Sequence, residues 1–179
     1  LYAKVALLLG GSLPVLRGIA GLAGASVVLL TGLLAWRLGG SRHAQGLAAV
    51  AALATPLFLA IAGLFSMNVF EPLFWTGCAY LVVRIVTGDQ RLWLGFGLLA
   101  GLGLQNKYSM AVFAFALVVG VLLDPGRRAF ARPWIWLGGA LAFLVFLPNV
   151  IWNVQHGWPF FELMRNIRTS GRDVALGPV

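Results

Sequence analysis

The chain is poor in the residues that build most metal centres and nucleophilic active sites. It has one cysteine, Cys78, so no intrachain disulfide and no Cys-type metal cluster can form. Its two histidines, His43 and His156, stand far apart and show no ligand spacing. No metal site is evident, and the sequence names no cofactor. Acidic residues number five in 179, and Glu71 is the only one before Asp89. Charged residues make up 10% of the chain, against roughly 25% in an average soluble domain. A secretory signal is also missing, because no basic region followed by a short apolar run and a small-residue cleavage site opens the sequence.

What is present is apolar. Hydrophobic residues account for 60% of the chain. A domain of this size still needs a polar exterior, so lipid must be the solvent for most of these side chains. The chain starts at Leu1 rather than at methionine and stops inside a polar stretch, so it reads as a fragment of a longer protein. Thirteen Lys and Arg against five Asp and Glu give a net charge of +8. In a soluble protein that excess would suggest nucleic acid. Here the cations are divided among several breaks and form no single stripe, which argues against such a partner.

A membrane helix needs about 20 apolar residues. The runs between polar breaks predict spans over 18–38, 44–64, 70–86, 92–104, 109–123 and 134–152. A shorter piece, 5–16, is broken by Gly10, Gly11 and Pro14 and reads as interfacial. The expected fold class is therefore all-α: a polytopic transmembrane bundle of about six spans with an N-terminal interfacial segment. The expected organisation is 1–17 juxtamembrane, 18–152 transmembrane and 153–179 the start of an extracytoplasmic loop. Strands are not expected, because the runs are too long and too rich in Leu, Ala and Gly.

Basic residues in short loops mark the cytoplasmic side. Arg37 and Arg42 flank one break, Arg84 and Arg91 another, and Arg127, Arg128 and Arg132 fill a third. These alternate connections are expected inside. The tail after Asn153 then lies outside the cytoplasm, and Trp36, Trp75, Trp93, Trp134 and Trp152 sit near span ends where indoles favour the interface.

Three polar clusters fall on the outer side. Gln105-Asn106-Lys107-Tyr108 separates two spans of 13 and 15 residues, neither long enough for the whole hydrocarbon core. Lys107 is thus expected in apolar surroundings, where a cation faces a cavity or an anion. The alternative is a snorkelling lysine. Ser66-Met67-Asn68-Val69-Phe70-Glu71-Pro72 brings a carboxylate to the same side. Glu71 could serve as base or ligand, pair with Lys107 or Arg17, or simply complement a helix start. Pro148 to Pro159 gathers Asn149, Asn153, Gln155, His156 and Trp158, a set suited to sugar or headgroup binding. The plainer reading, which the residues alone favour, is a Pro-kinked helix end with an aromatic belt. Gly95 to Gly101 imitates a dinucleotide loop but has the wrong spacing and no βαβ context. Gly97 and Gly101 fit a small-xxx-small helix contact instead, and Gly18, Gly21 and Gly24 are expected to pack closely as well.

The order of the pieces resembles the membrane domain of family 39 glycosyltransferases. Arg17 to Gly24 opens a span, followed by Trp36-Arg37-Leu38-Gly39 and Pro56-Leu57-Phe58-Leu59. Ser66-Met67-Asn68 with Glu71-Pro72-Leu73-Phe74-Trp75 comes next. Gly101 to Ser109 is similar to the family's Gly-Leu-x-x-x-x-Lys-Tyr stretch, and Pro148-Asn149-Val150-Ile151-Trp152 with His156-Gly157-Trp158-Pro159 completes the series. The resemblance implies a C-type enzyme related to protein mannosyltransferases. Such enzymes move a sugar, with inversion, from a polyprenyl-phosphate carrier to a lipid, glycan or protein acceptor outside the cytoplasm.

The resemblance also implies that the main catalytic acid lies upstream of Leu1, so the fragment alone is expected to be inactive. Many members carry an acid where this chain has Asn68. Lys107 matches the family's Lys-Tyr position, and its charge suits the carrier phosphate. The candidate substrate and carrier contacts are Lys107, Tyr108, Glu71, Asn68, Arg17 and His156. The expected partners are the polyprenyl-phosphate-linked sugar donor and membrane lipids, and the expected location is a bacterial inner membrane. A transporter or flippase subunit is the alternative, but its polar sites lie at midplane in paired repeats, which this sequence lacks. A noncatalytic scaffold would leave the three outer clusters unexplained.

Overall fold

A computed structural model of the chain describes residues 8, 10–55, 65–123, 127 and 130–169. These residues form seven α-helices, one short 3-10 turn and no strand. The helices are α1 Leu13–Arg37, α2 Arg42–Ala54, α3 Met67–Val86, α4 Trp93–Asn106, α5 Ser109–Leu123, α6 Pro133–Gln155 and α7 Pro159–Thr169. The chain divides into two compact units, Leu1–Phe146 and Leu147–Val179. The all-helical expectation holds among the described residues. Three helices, α1, α3 and α6, are long and apolar enough to cross a membrane.

Several boundaries differ from the sequence reading. The first helix starts at Leu13, not Gly18, with Pro14 in its first turn. Proline is tolerated there because the first N–H groups of a helix have no intrahelical acceptor. Residues 13–16 of the expected interfacial piece therefore belong to α1. The second expected span is helical over Arg42–Ala54 and capped by Thr55; residues 56–64 lie outside the described residues, as do 1–7, Arg128 and the tail from 170. The last expected span does not end at Trp152. It continues through Pro148 to Gln155. The polar tail that follows holds a further helix, α7.

Within the first unit, α1 packs on α2 and α3, α3 on α4 and α5, and α4 on α5. The buried face of α1 is Ala20, Ala23, Gly24 and Val27, the i, i+3, i+4, i+7 spacing of one helical stripe. Gly18 and Gly21 fall off that stripe. They are exposed, with nothing near enough to meet an added Cβ, so their expected packing role is not found. Gly97 and Gly101 do pack closely, against the first half of α6. An added Cβ on Gly97 would lie 2.0 Å from the Gly138 carbonyl oxygen, and one on Gly101 would lie 2.7 Å from Val145 Cβ. The glycines let two backbones touch, as in other tight membrane-helix pairs.

The turns alternate in direction. The ends of α1, α3 and α5 border one cleft, lined by Arg37, Val86 and Val121 among others. That end of the unit also carries the α1–α2 and α3–α4 turns. Gly39 closes α1 with φ 89° and Gly88 follows α3 with φ 129°, both left-handed positions that suit glycine. Arg37, Arg42, Arg84 and Arg91 gather around these turns. The starts of α3 and α5 and the end of α4 lie at the opposite end, where Lys107, Glu71 and Asn68 meet.

Candidate functional site

The α4–α5 turn is two residues long. Helix α4 stops because Lys107 adopts an extended backbone, φ −159° and ψ 136°, while its N–H still reaches the Gly103 carbonyl. Helix α5 restarts at Ser109, with Met110 N–H donating to the Lys107 carbonyl at 3.1 Å. A two-residue break therefore separates the two helices. The extended backbone turns the Lys107 side chain toward α3.

There it meets the candidates of the Ser66–Pro72 segment. Lys107 Nζ lies 2.8 Å from Glu71 Oε2 and 3.4 Å from Asn68 Oδ1. Ser109 Oγ donates to the other oxygen of the same carboxylate. Asn106 Nδ2 donates to the Met67 carbonyl at 2.9 Å, which ties the end of α4 to the first turn of α3. Gln105 Nε2 donates to the Val145 carbonyl at 2.8 Å. Pro148 has no N–H, which leaves the neighbouring Leu144 carbonyl without its usual intrahelical donor. The glutamine thus braces α6 close to the point where proline weakens it.

The electrostatics are those of a partly shielded pair. The Glu71 side chain is 16% exposed and that of Lys107 is 37% exposed. Both carboxylate oxygens of Glu71 are engaged, one by the ammonium and one by the hydroxyl. Lys107 has three donor hydrogens, and Glu71 and Asn68 take two. The third has no acceptor among the described residues. Asn106 Oδ1 is buried without a protein partner, which leaves an acceptor close by for a hydroxyl or water. Among the described residues, no three His, Cys, Asp or Glu side chains are placed to hold a metal ion.

The six sequence candidates separate into groups. Lys107, Glu71 and Asn68 come together. Tyr108 follows Lys107 in the turn, half exposed, with its ring edge-on to Phe146 at 6.1 Å. Arg17 is exposed early in α1 and takes no part in the ion pair, so of the two cations considered for Glu71 only Lys107 pairs with it. His156 belongs to the second unit. Its ring stacks on Trp152 at 4.4 Å and its Nδ1 lies 2.8 Å from the Trp152 carbonyl oxygen. Sequence reasoning missed Ser109, Asn106 and Gln105 as individual contributors. Their signal was only the density of polar residues between two apolar runs.

No curated protein and no solved structure matches the chain. A family model does, over residues 2–152, a range that contains every residue of the Lys107 cluster. By that match the chain belongs to the dolichyl-phosphate-mannose-protein mannosyltransferase family.

Proposed function

We propose that this chain is the helical membrane part of an inverting sugar transferase that draws on a polyprenyl-phosphate carrier, and that Lys107 meets the carrier phosphate. The family is one of membrane glycosyltransferases using polyprenyl-phosphate-linked sugars, and three helices long and apolar enough to cross a membrane support an integral membrane protein. The observation that carries the reading is the Lys107 ammonium, held by Glu71 and Asn68 with a donor to spare.

In this reading α1 to α6 make about six passes, with the residues before α1 juxtamembrane and those after α6 opening an outer segment. The arginine-bearing turns face the cytoplasm and the Lys107 end faces out. Helix α3 has 20 residues, about 30 Å, and Glu71 is four residues, about 6 Å, below its outer end. The ion pair then lies just under the headgroup layer, where the phosphate of a carrier with its prenyl chain in lipid would sit.

The chemistry follows from the charge. Departure of the carrier phosphate from the sugar leaves added negative charge on a phosphate oxygen. A fixed cation aimed there stabilises the transition state more than the ground state. Glu71 holds the ammonium in place. Both of its oxygens are occupied, so we assign it positioning rather than proton removal. Tyr108 and Asn68 line the same turn, and Arg17 and His156 remain candidates for contacts to carrier or acceptor.

The test is sugar transfer by the full-length protein in vesicles, with a polyprenyl-phosphate sugar as donor. Lys107→Ala should reduce turnover by about 100-fold or more, the usual loss when one charge-stabilising donor is removed. Unchanged turnover and donor affinity in a folded variant would remove Lys107 from the reaction.

A further inference from the structure

Helix α7 differs from the spanning helices in how its apolar residues are arranged. It runs Pro159–Thr169 for 11 residues, about 16 Å. At 3.6 residues per turn, Phe161, Leu163, Met164 and Ile167 fall within less than half the circumference. Glu162, Arg165, Asn166 and Thr169 take the remainder, and Arg168, in the last turn, falls beside Phe161 near the edge of the apolar arc. On this arc Phe161, Leu163 and Met164 are all exposed. Helices α1, α3 and α6 show no such segregation, being apolar all round.

The connection to α6 is short and bent. Gly157 and Trp158 both have left-handed backbones, φ 68° and 58°, and the N–H groups of His156 and Trp158 both reach the Asn153 carbonyl. Two left-handed residues in succession end the axis of α6. A bulky side chain seldom takes that conformation, so the bend is a specified break rather than a fraying end. Pro159 then starts a new helix, and Glu162 in its first turn complements the helix dipole.

We infer that α7 is an interfacial helix that lies on the bilayer, with Phe161, Leu163 and Met164 sunk into the acyl boundary and Glu162, Arg165 and Asn166 facing water. Chain length carries the placement. Helix α6 is long and apolar enough to cross the membrane, and only four residue steps separate its last residue, Gln155, from Pro159. Their reach is at most about 14 Å, so α7 begins within the headgroup layer. An apolar arc there is poorly placed in water, and a polar arc is poorly placed in hydrocarbon. The plane between them satisfies both. Trp158, exposed at the junction, is the residue type that favours that layer. None of this depends on whether Lys107 meets a phosphate.

The experiment uses the full protein in vesicles of phosphatidylethanolamine and phosphatidylglycerol. Single cysteines are introduced by Phe161→Cys, Met164→Cys, Glu162→Cys and Asn166→Cys and carry a nitroxide. Cys78 is fully buried and stays in place, with the unsubstituted chain labelled in parallel to measure its background. Relaxation by dissolved oxygen reports lipid, and relaxation by a water-soluble nickel chelate reports solvent. The oxygen-to-nickel ratio should be several-fold higher at positions 161 and 164 than at 162 and 166. Equal ratios at all four positions would mean that the two arcs share one environment, water if the ratios are low and hydrocarbon if they are high. Shielding of 161 and 164 from both reagents would mean that protein covers the arc. Either result overturns the inference.

Discussion

The first unit carries an ion pair at each end, and the two pairs are built differently. Arg84 and Asp89 are five residues apart, meet at 2.9 Å and are 34% and 45% exposed. Glu71 and Lys107 are 36 residues apart and meet at 2.8 Å, with the carboxylate mostly shielded. The first closes a turn that its own backbone already closes. The second joins α3 to the α4–α5 turn and depends on the tertiary fold. Surrounding cations differ as well. At the arginine end, Arg37 lies over the Trp36 ring at 4.6 Å and Arg91 over Trp134 at 5.8 Å, so these side chains rest on aromatic rings. At the other end one lysine is held by a carboxylate and an amide. The comparison separates an exposed pair made within one turn from a pair that the tertiary fold fixes at a point.

The largest expected effect breaks both ends together. Gly97→Ala puts a methyl group where the Gly138 carbonyl already stands. A backbone atom cannot rotate away as a side chain would, so the cost should reach the upper part of the overpacking range, about 3 kcal/mol. Thermal unfolding in detergent should show a marked loss for Gly97→Ala and almost none for Gly18→Ala, whose added carbon meets nothing. Equal melting of the two variants would mean that the α4–α6 contact does not hold the unit together.

The next effect sharpens the contrast between the ends. Glu71→Ala leaves the Lys107 cation in apolar surroundings without a counter-charge. Fully buried pairs lose roughly 3–5 kcal/mol when one partner is removed; with Lys107 partly exposed, about 2 kcal/mol is expected. Adding Lys107→Met should recover much of this stability, because replacing a whole ion pair by apolar groups is often close to neutral. Sugar transfer should not recover with it. A double variant less stable than Glu71→Ala would show that the pair is not the source of the loss.

The sequence made the helices legible because their hydrophobic runs and Gly-rich breaks are local. The expected spans over 70–86, 92–104 and 109–123 agree with α3, α4 and α5 to within a few residues. Pro14 was misleading: it reads as a breaker, yet it sits in a first turn. Pro148 lies inside α6, as the expected span over 134–152 has it, and the helix runs on to Gln155. Gly97 and Gly18 look alike in sequence, and only the partner helix distinguishes them. The ion pair was half legible. Charge and side named Glu71 and Lys107 together, with Arg17 as a rival for the carboxylate. The choice between them depended on the extended backbone at Lys107, and nothing in the residues around it announces that conformation. Ser109 reads as an ordinary helix start, and its role appears only once α3 and α5 are adjacent. The tail of α7 looked polar by average, and its two arcs emerge only when the residues are placed around a helix.

The smallest effect belongs to Arg84→Ala. The turn it closes is held without it. Thr87 N–H donates to the Val83 carbonyl at 3.2 Å, Gly88 N–H to Ile85 at 3.1 Å and Asp89 N–H to Arg84 at 3.2 Å. Gln90 Nε2 adds a bond to the Ile85 carbonyl at 3.1 Å. An exposed pair on such a frame contributes roughly 0–1 kcal/mol, and removing Arg84 keeps the backbone bond to its carbonyl. Melting should therefore shift little, and transfer should be unchanged. Orientation should also survive, because Arg37, Arg42 and Arg91 remain at that end and the positive-inside bias is a sum over loops. A loss for Arg84→Ala as large as that for Glu71→Ala would erase the distinction between the two ends. A loss confined to membrane insertion, with normal melting of the inserted protein, would instead show that this one arginine dominates the orientation.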